Sequence, residues 1–196
     1  MYKKQLKAQK VICLLAIIAS ALVFIYSLGI MTDLYDSLYS TMRNPADHTQ
    51  TDVTGSIIYY DMQGFNKQLT VAGIVLILLA CLLFITNTST RRRYYVANYV
   101  STALNVIAEI GVTIWAHIQI QAYRAQFLQI NFEELQAHVD LWGGTYSEST
   151  FWFDIHYAVF GIVLIAAALL VANVIWKNSL MKEEKNLLNA GKEVAA

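Results

Sequence analysis

The sequence has little proline, little cysteine and little charge. Of its 196 residues one is proline and two are cysteines, and only 14% are charged, about half of the ~25% that is typical of soluble domains. Cys13 and Cys81 both lie inside apolar runs, which excludes a disulfide framework in the loops. Hydrophobic residues make up 57% of the chain. A chain of this length and composition is expected to form one compact transmembrane bundle with little additional structure.

The sequence also lacks the motifs that carry known chemistry. It contains no Gly-rich phosphate loop, no nucleophile elbow and no histidine pair spaced to hold a metal on one helix. No C-x-x-C motif is present, which argues against a disulfide oxidoreductase. We therefore predict no catalytic residue, no metal site, no cofactor and no nucleic-acid partner, and we do not expect an enzyme.

Four apolar segments are long enough to cross a membrane. The shortest has 18 residues and covers about 27 Å, against a hydrocarbon core of ~30 Å. The first resembles a signal peptide at Ala19-Ser20-Ala21, but its apolar run continues about ten residues further, so an uncleaved helix is predicted. The predicted fold is an all-α membrane protein, a single antiparallel four-helix transmembrane bundle over 1–196 with a small extracellular cap. The spans are expected at about 11–31, 69–86, 94–121 and 151–176.

Charge is distributed unevenly along the chain and predicts the orientation. Eleven of the 14 Lys and Arg lie in the N-terminal segment, the loop 87–93 and the tail 177–196. Ten of the 14 acids lie in or beside the loops 32–68 and 122–150. The positive-inside rule therefore places both termini and the loop 87–93 in the cytoplasm and both long loops outside. The absence of outer disulfides and of outer glycosylation sites favours a bacterial plasma membrane.

A basic cluster, Arg91, Arg92 and Arg93, occupies the short loop. It determines topology and is a candidate site for anionic lipid headgroups, although the first role alone explains it.

The long loops contain helical signals of their own. Ile30, Leu34, Leu38 and Met42 recur at every fourth residue until Asn44-Pro45, which predicts that the first helix projects outward. A short apolar patch at 57–60 fits strand and helix equally.

Asn131 followed by Glu134 predicts a helix N-terminus in the second long loop. An apolar stripe then predicts a short amphipathic helix, lying on the bundle or in the lipid interface, that ends at Gly143-Gly144. The stripe consists of Phe132, Leu135, Val139 and Trp142.

The third span carries one polar seam. Its five members are spaced 4, 3, 4 and 4 residues apart, so they fall inside a wedge of roughly 80° on a helix. Glu109 is a mid-depth carboxyl, costly when charged by roughly 3 kcal/mol, and the seam is therefore expected to face protein. Glu109 either makes a hydrogen bond between helices or serves as a proton relay, a cation site or a ligand to a polar substrate. The seam residues are Asn98, Thr102, Asn105, Glu109 and Thr113.

All four histidines fall on the predicted outer side. His117 and His156 lie at similar depths in the third and fourth spans, with Asp154 near in sequence. These three are weak candidate ligands for a haem iron or another metal. The alternative is that the histidines are polar interface residues bonded to loop carbonyls.

Taken together, these patterns predict a non-enzymatic integral membrane protein. Its expected partners are membrane lipids and either further copies of itself or other membrane subunits. The second hypothesis is a small transporter or channel subunit that uses Glu109. The third is a haem- or quinone-linked membrane protein.

Overall fold

A computed structural model describes residues 2–30, 53, 55–56, 58–88, 95–142 and 146–194. Within these residues every regular element is a helix, and four helices are long and apolar enough to cross a membrane. The all-α prediction is thereby confirmed for these residues, and the four apolar helices are consistent with the multi-pass prediction. The helices are α1 Tyr2–Gly29, α2 Ile58–Asp61, α3 Gln63–Thr88, α4 Tyr95–Phe127, α5 Phe132–Trp142, α6 Phe151–Asp154 and α7 His156–Val194.

The long helices extend beyond the predicted apolar spans. Helix α3 begins six residues before the predicted span, and α4 continues six residues beyond its predicted end. The helix satisfies its own backbone groups, so polar residues that flank an apolar core continue it without cost. The end of the predicted loop 32–68 is accordingly helical, and the undecided patch at 57–60 contributes to α2.

Several sequence predictions concern residues outside the described ranges. They are the outward extension of the first helix at Leu34, Leu38 and Met42, the break at Asn44-Pro45, the basic cluster Arg91–Arg93 and the end signal Gly143-Gly144. The side chains of His138 and Trp142 also lie outside the described set.

The predicted N-terminus of α5 is confirmed. The Asn131 side-chain oxygen accepts hydrogen bonds from the backbone N–H groups of Glu133 and Glu134 at 3.2 and 3.3 Å. Leu135 is fully buried, and the Phe132 ring packs edge-on against Phe127 with centroids 5.4 Å apart. One face of α5 is therefore held by protein.

The chain forms two compact units, and each of the four long helices contributes to both. The first unit contains Met1–Ser20, Leu76–Ile110 and Ile162–Ala196, and the second contains Ala21–Val75 and Gly111–Gly161. The first has a core of mostly small side chains, which allow helix backbones to approach closely. Its fully or nearly fully buried members are Cys13, Ala16, Ala80, Leu83 and Leu170.

The second unit combines one close helix approach with an aromatic core. A Cβ built on Gly73 would lie 2.9 Å from the Cα of Phe24, so glycine is needed where α1 and α3 meet. Phe127 and Phe153 are buried and lie 5.2 Å apart between centroids.

Candidate functional site

All five seam residues of α4 are buried. Asn105 and Glu109 are fully buried, and Asn98, Thr102 and Thr113 are at most 7% exposed. Four of them belong to the first unit and Thr113 to the second. On the opposite side of the helix, Val100 and Ile107 are 52% and 69% exposed. The seam is therefore the protein-facing side of this helix.

Glu109 has one satisfied oxygen and one without a partner. With the Asn105 amide oriented so that both of its ends are bonded, Nδ2 donates to Glu109 Oε1 at 2.9 Å and Oδ1 faces the Ala80 backbone N at 3.1 Å. Glu109 Oε2 has no hydrogen-bond partner among the described residues, although the side chain is fully buried. This oxygen is the least satisfied position of the seam.

The Thr102 hydroxyl of the seam and the neighbouring hydroxyls all have hydrogen-bond partners, unlike Glu109 Oε2. Thr102 Oγ1 donates to the Asn98 backbone oxygen of its own helix at 2.8 Å. One residue earlier, the hydroxyls of Ser101 and Thr86 lie 2.7 Å apart and join α4 to α3. The seam therefore combines bonds within one helix and bonds between helices.

The first unit also contains a buried amide cluster, which sequence reasoning missed. Gln5 Nε2 donates to Gln9 Oε1 at 2.8 Å and to Asn173 Oδ1 at 3.0 Å, joining α1 to α7. Gln9 Nε2 donates to the backbone oxygen of Asn87 in α3. All four residues are at most 5% exposed. Two features of the sequence could have indicated this cluster. Gln5 and Gln9 are four residues apart and so share a helix face, and Asn173 is the single amide in the fourth apolar run.

Near the cluster in sequence, Lys177 is only 8% exposed. Its Nζ lies 5.5 Å from the centroid of the Tyr99 ring. Tyr99 Oη donates to Asn178 Oδ1 on α7. An aromatic face thus stabilises the buried ammonium group.

In the second unit three polar pairs join α4 to the start of the fourth span. His117 meets His156, Gln121 meets Tyr157 and Arg124 meets Asp154, each with donor and acceptor 2.9 Å apart. The three α4 members are spaced by four and three residues, so they lie on one face of the helix. We call these pairs the histidine ladder. Gln121, Arg124 and Tyr157 were not among the predicted site residues, although the spacing 117, 121, 124 carries the signal.

The imidazoles of the ladder face each other through their nitrogens. His117 Nδ1 lies 2.9 Å from His156 Nε2, and the ring centroids are 5.1 Å apart. His156 is fully buried, and its Nδ1 bonds the backbone oxygen of Phe153. The rings of Tyr157 and Phe160 pack against His156 with centroids 4.1 and 5.6 Å away. The predicted histidine pair is therefore brought together.

Asp154 hydrogen-bonds to residues other than the two histidines. Its carboxylate accepts hydrogen bonds from Arg124 Nε at 2.9 Å and from Thr150 Oγ1 at 2.6 Å. Among the described residues, no group of three or more His, Cys, Asp or Glu side chains is placed to hold a metal ion. Asp154 thus forms an ion pair, and the two histidines stand as a pair.

Comparison with protein-family models, with curated proteins and with solved structures finds no match to this chain.

Proposed function

We propose that this chain is a multi-pass protein of a bacterial plasma membrane that acts by association. It works as an interaction or accessory subunit that self-associates or joins a larger membrane complex, and it performs no catalysis of its own. The observation that carries this proposal is that polar side chains buried in the first unit bond one another across helices of the chain, at Gln5 with Asn173 and Thr86 with Ser101, an arrangement suited to helix packing rather than to catalysis. Such amide and hydroxyl pairs bind helices together in lipid.

We propose an antiparallel four-helix bundle as the fold. In the first unit, Gln5 bonds Asn173 while Cys13, further along α1, shares a cluster with Leu170. In the second unit, Tyr26 packs against Phe160, and Gly29 adjoins Trp152. Within each unit, a later residue of α1 pairs with an earlier residue of the fourth span. This order supports opposite directions for the two helices.

We propose cytoplasmic termini and an extracellular cap that includes α5. The uneven distribution of Lys and Arg supports this orientation. Ser147 and Lys182 are exposed and lie at opposite predicted sides. In a background without Cys13 and Cys81, Ser147→Cys should react with an impermeant maleimide in intact cells, and Lys182→Cys should react only after lysis. Labelling of Lys182→Cys in intact cells would contradict the proposed orientation.

The association itself is tested by measuring the mass of the protein in mild detergent. The chain should be recovered as a homo-oligomer of fixed size or in a constant ratio with a second membrane protein, measured by light scattering and native mass spectrometry. Chemical crosslinking in intact membranes should give the same stoichiometry, which controls for assembly formed in detergent. A monomer in both measurements would refute the proposal.

A small transporter or channel subunit that uses Glu109 is the second candidate. The specific observation that favours it is Oε2, a fully buried carboxyl oxygen without a partner among the described residues. An ionisable group inside a membrane span commonly marks an ion or proton path. A structural role requires only a hydrogen bond, whereas transport requires the ionisable group itself.

Glu109→Gln separates these two roles because it keeps the shape and a donor but does not ionise. Proton and alkali-cation flux should be measured in liposomes beside thermal stability in detergent. Thr102→Val is the matched control, because that hydroxyl is bonded within its own helix. Normal stability of Glu109→Gln with loss of a flux that Thr102→Val retains would establish the second candidate. An unchanged flux, or no flux in the unmodified protein, would remove it.

A further inference from the structure

The hydrogen bonds of the histidine ladder define which nitrogens carry protons when both imidazoles are neutral. The Phe153 carbonyl can only accept a hydrogen bond, so Nδ1 of His156 carries a proton and its Nε2 presents a lone pair. His117 Nδ1, 2.9 Å from that nitrogen, supplies the hydrogen between the two rings. Nε2 of His117 then presents a lone pair that has no hydrogen-bond partner among the described residues. The neutral pair therefore has one nitrogen that can take up a proton, and it belongs to the partly exposed ring.

One proton can bind to this pair without disturbing its geometry. Added at Nε2 of His117, it converts that ring to an imidazolium, which still donates through Nδ1 to His156. A hydrogen bond from a charged donor is roughly twice as strong as a neutral one, so the first proton strengthens the contact. The charge lies on the partly exposed ring rather than on the fully buried one, which limits the cost of desolvating it.

A second proton cannot bind while the two rings stay in place. The nitrogen that remains is Nε2 of His156, and an N–H bond formed there would point directly at the N–H of His117 Nδ1. With these nitrogens 2.9 Å apart the two hydrogens would collide. Two positive rings with centroids 5.1 Å apart would also repel each other. Binding of the second proton therefore requires the rings to separate.

The groups around the pair do not relieve this conflict. Arg124 and Asp154 are the other charged groups that act on His156, and they pair with each other, so their charges largely offset. The titratable groups on the packed elements are phenols. Tyr157 packs against both imidazoles with centroids 5.6 and 4.1 Å away, and the Tyr26 hydroxyl of α1 donates to a backbone carbonyl. Phenols ordinarily ionise only near pH ~10, so they stay neutral where histidines titrate.

We propose that His117 and His156 form a pH-dependent contact between α4 and α7, which holds with one bound proton or none and opens when the second proton binds. Histidines titrate between about pH 5 and 8, so the opening belongs to mild acid. The unfolded chain binds two protons on these rings and the closed pair binds at most one. Stability of the second unit therefore falls as the pH falls through this range. The contact does not depend on the proposed association and stands or falls separately.

The first test is nitrogen NMR of the full chain in detergent, with isotope-labelled histidine. At neutral pH a scalar coupling should join His117 Nδ1 to His156 Nε2 across the hydrogen that they share. As the pH is lowered, the rings should take up protons in two steps that differ more than about tenfold in proton affinity. The coupling should persist through the first step and vanish at the second. Independent titration of the two rings, or no coupling at neutral pH, would overturn the proposal.

The second test measures whether the contact opens. In a background without Cys13 and Cys81, spin labels are attached at Gln126→Cys on α4 and Ala158→Cys on α7, two exposed positions of the second unit. The distance between the labels should stay constant through the first protonation step and lengthen through the second. A distance that does not change across the second step would contradict the proposal.

His117→Asn is the matched control for both measurements. The asparagine amide stands at the same place along the side chain as Nδ1 of His117, so it can donate to neutral His156 or, turned over, accept from the protonated ring. The variant should fold, lose the nitrogen–nitrogen coupling and keep the label distance constant. His48→Gln and His138→Gln alter the other two of the four histidines and should leave both steps intact. Opening of His117→Asn over the same pH range would assign the change to other groups and overturn the proposal.

Discussion

The two units of the molecule use different polar chemistry to join their helices. In the first unit the cross-helix pairs are amides and hydroxyls, such as Gln5 with Asn173, and they are almost completely buried. In the second unit the ladder includes two imidazoles and an ion pair, and the side chains of Arg124 and Asp154 are 32% and 42% exposed. Neutral pairs tolerate the interior because they carry no charge to desolvate, whereas ionised pairs need access to water.

This difference predicts different responses of the two units to their surroundings. Neutral pairs are expected to respond weakly to pH and salt. Ionisable, partly exposed pairs are expected to respond to both. Glu109 and Lys177 are exceptions, since they are a buried carboxyl and a nearly buried ammonium group in the first unit, and replacing Glu109 by Gln is therefore informative.

The largest expected effect concerns the aromatic core of the second unit. Phe127 is fully buried and contacts the rings of Phe132 and Phe153. Phe127→Ala should lower the free energy of unfolding by ~3–5 kcal/mol, because the ring's burial is lost and a cavity remains. Leu128→Ala is the matched control, since that neighbour is 56% exposed and should change stability by less than ~0.5 kcal/mol. Denaturant unfolding in detergent measures both, and equal effects would show that this core does not stabilise the unit.

Periodicity along one helix was readable from the sequence. Glu109 and its seam neighbours repeat with the helical period, so their burial on one side of α4 followed from spacing. The Asn131 cap was readable for the same reason, because its donors lie two and three residues further on. Patterns within a single element depend only on local geometry.

Contacts between helices could not be predicted from residue spacing. The contact of Gln5 with Asn173 spans 168 positions and depends on the rotation and offset of two packed helices, neither of which sequence spacing specifies. His117 and His156 were grouped by depth, but their facing nitrogens also required helix rotation. Asp154 was grouped with them by proximity in sequence, whereas in the structure it pairs with Arg124.

The next largest effect concerns the close approach of α1 and α3. Gly73→Ala places a Cβ 2.9 Å from the Phe24 Cα, a backbone atom that cannot rotate away. The helices must separate, and we expect a loss of ~1–3 kcal/mol. Gly111→Ala is the control, because its Cβ meets nothing within 4 Å and alanine favours the helix by ~0.5–1 kcal/mol. Stabilisation by both variants would mean that the two helices are not in close contact at Gly73.

A smaller effect is expected for the amide pair of the first unit. A double-mutant cycle with Gln5→Ala and Asn173→Ala should give a coupling free energy of ~0.6 kcal/mol and at most ~1.7 kcal/mol. The value should be the same at low and high salt because neither partner is charged. Coupling that falls as salt rises would show that charge contributes to this contact, and the contrast between the units would then fail.

The smallest effect, and the one that sharpens the contrast most, concerns the ion pair of the ladder. Arg124 and Asp154 are 2.9 Å apart and partly exposed, so water weakens their attraction and salt screens it. A cycle with Arg124→Met and Asp154→Asn should give ~0.2–1 kcal/mol at low salt and less as salt rises. Asp154→Asn keeps an oxygen that can still accept from Thr150, so the cycle isolates the arginine contact. The detergent micelle must be the same in every arm, because it sets how much water reaches the pair. A coupling above ~2 kcal/mol that does not change with salt would place the pair in a dry environment, and the second unit would then hold its charged pair more tightly than the first unit holds its amides.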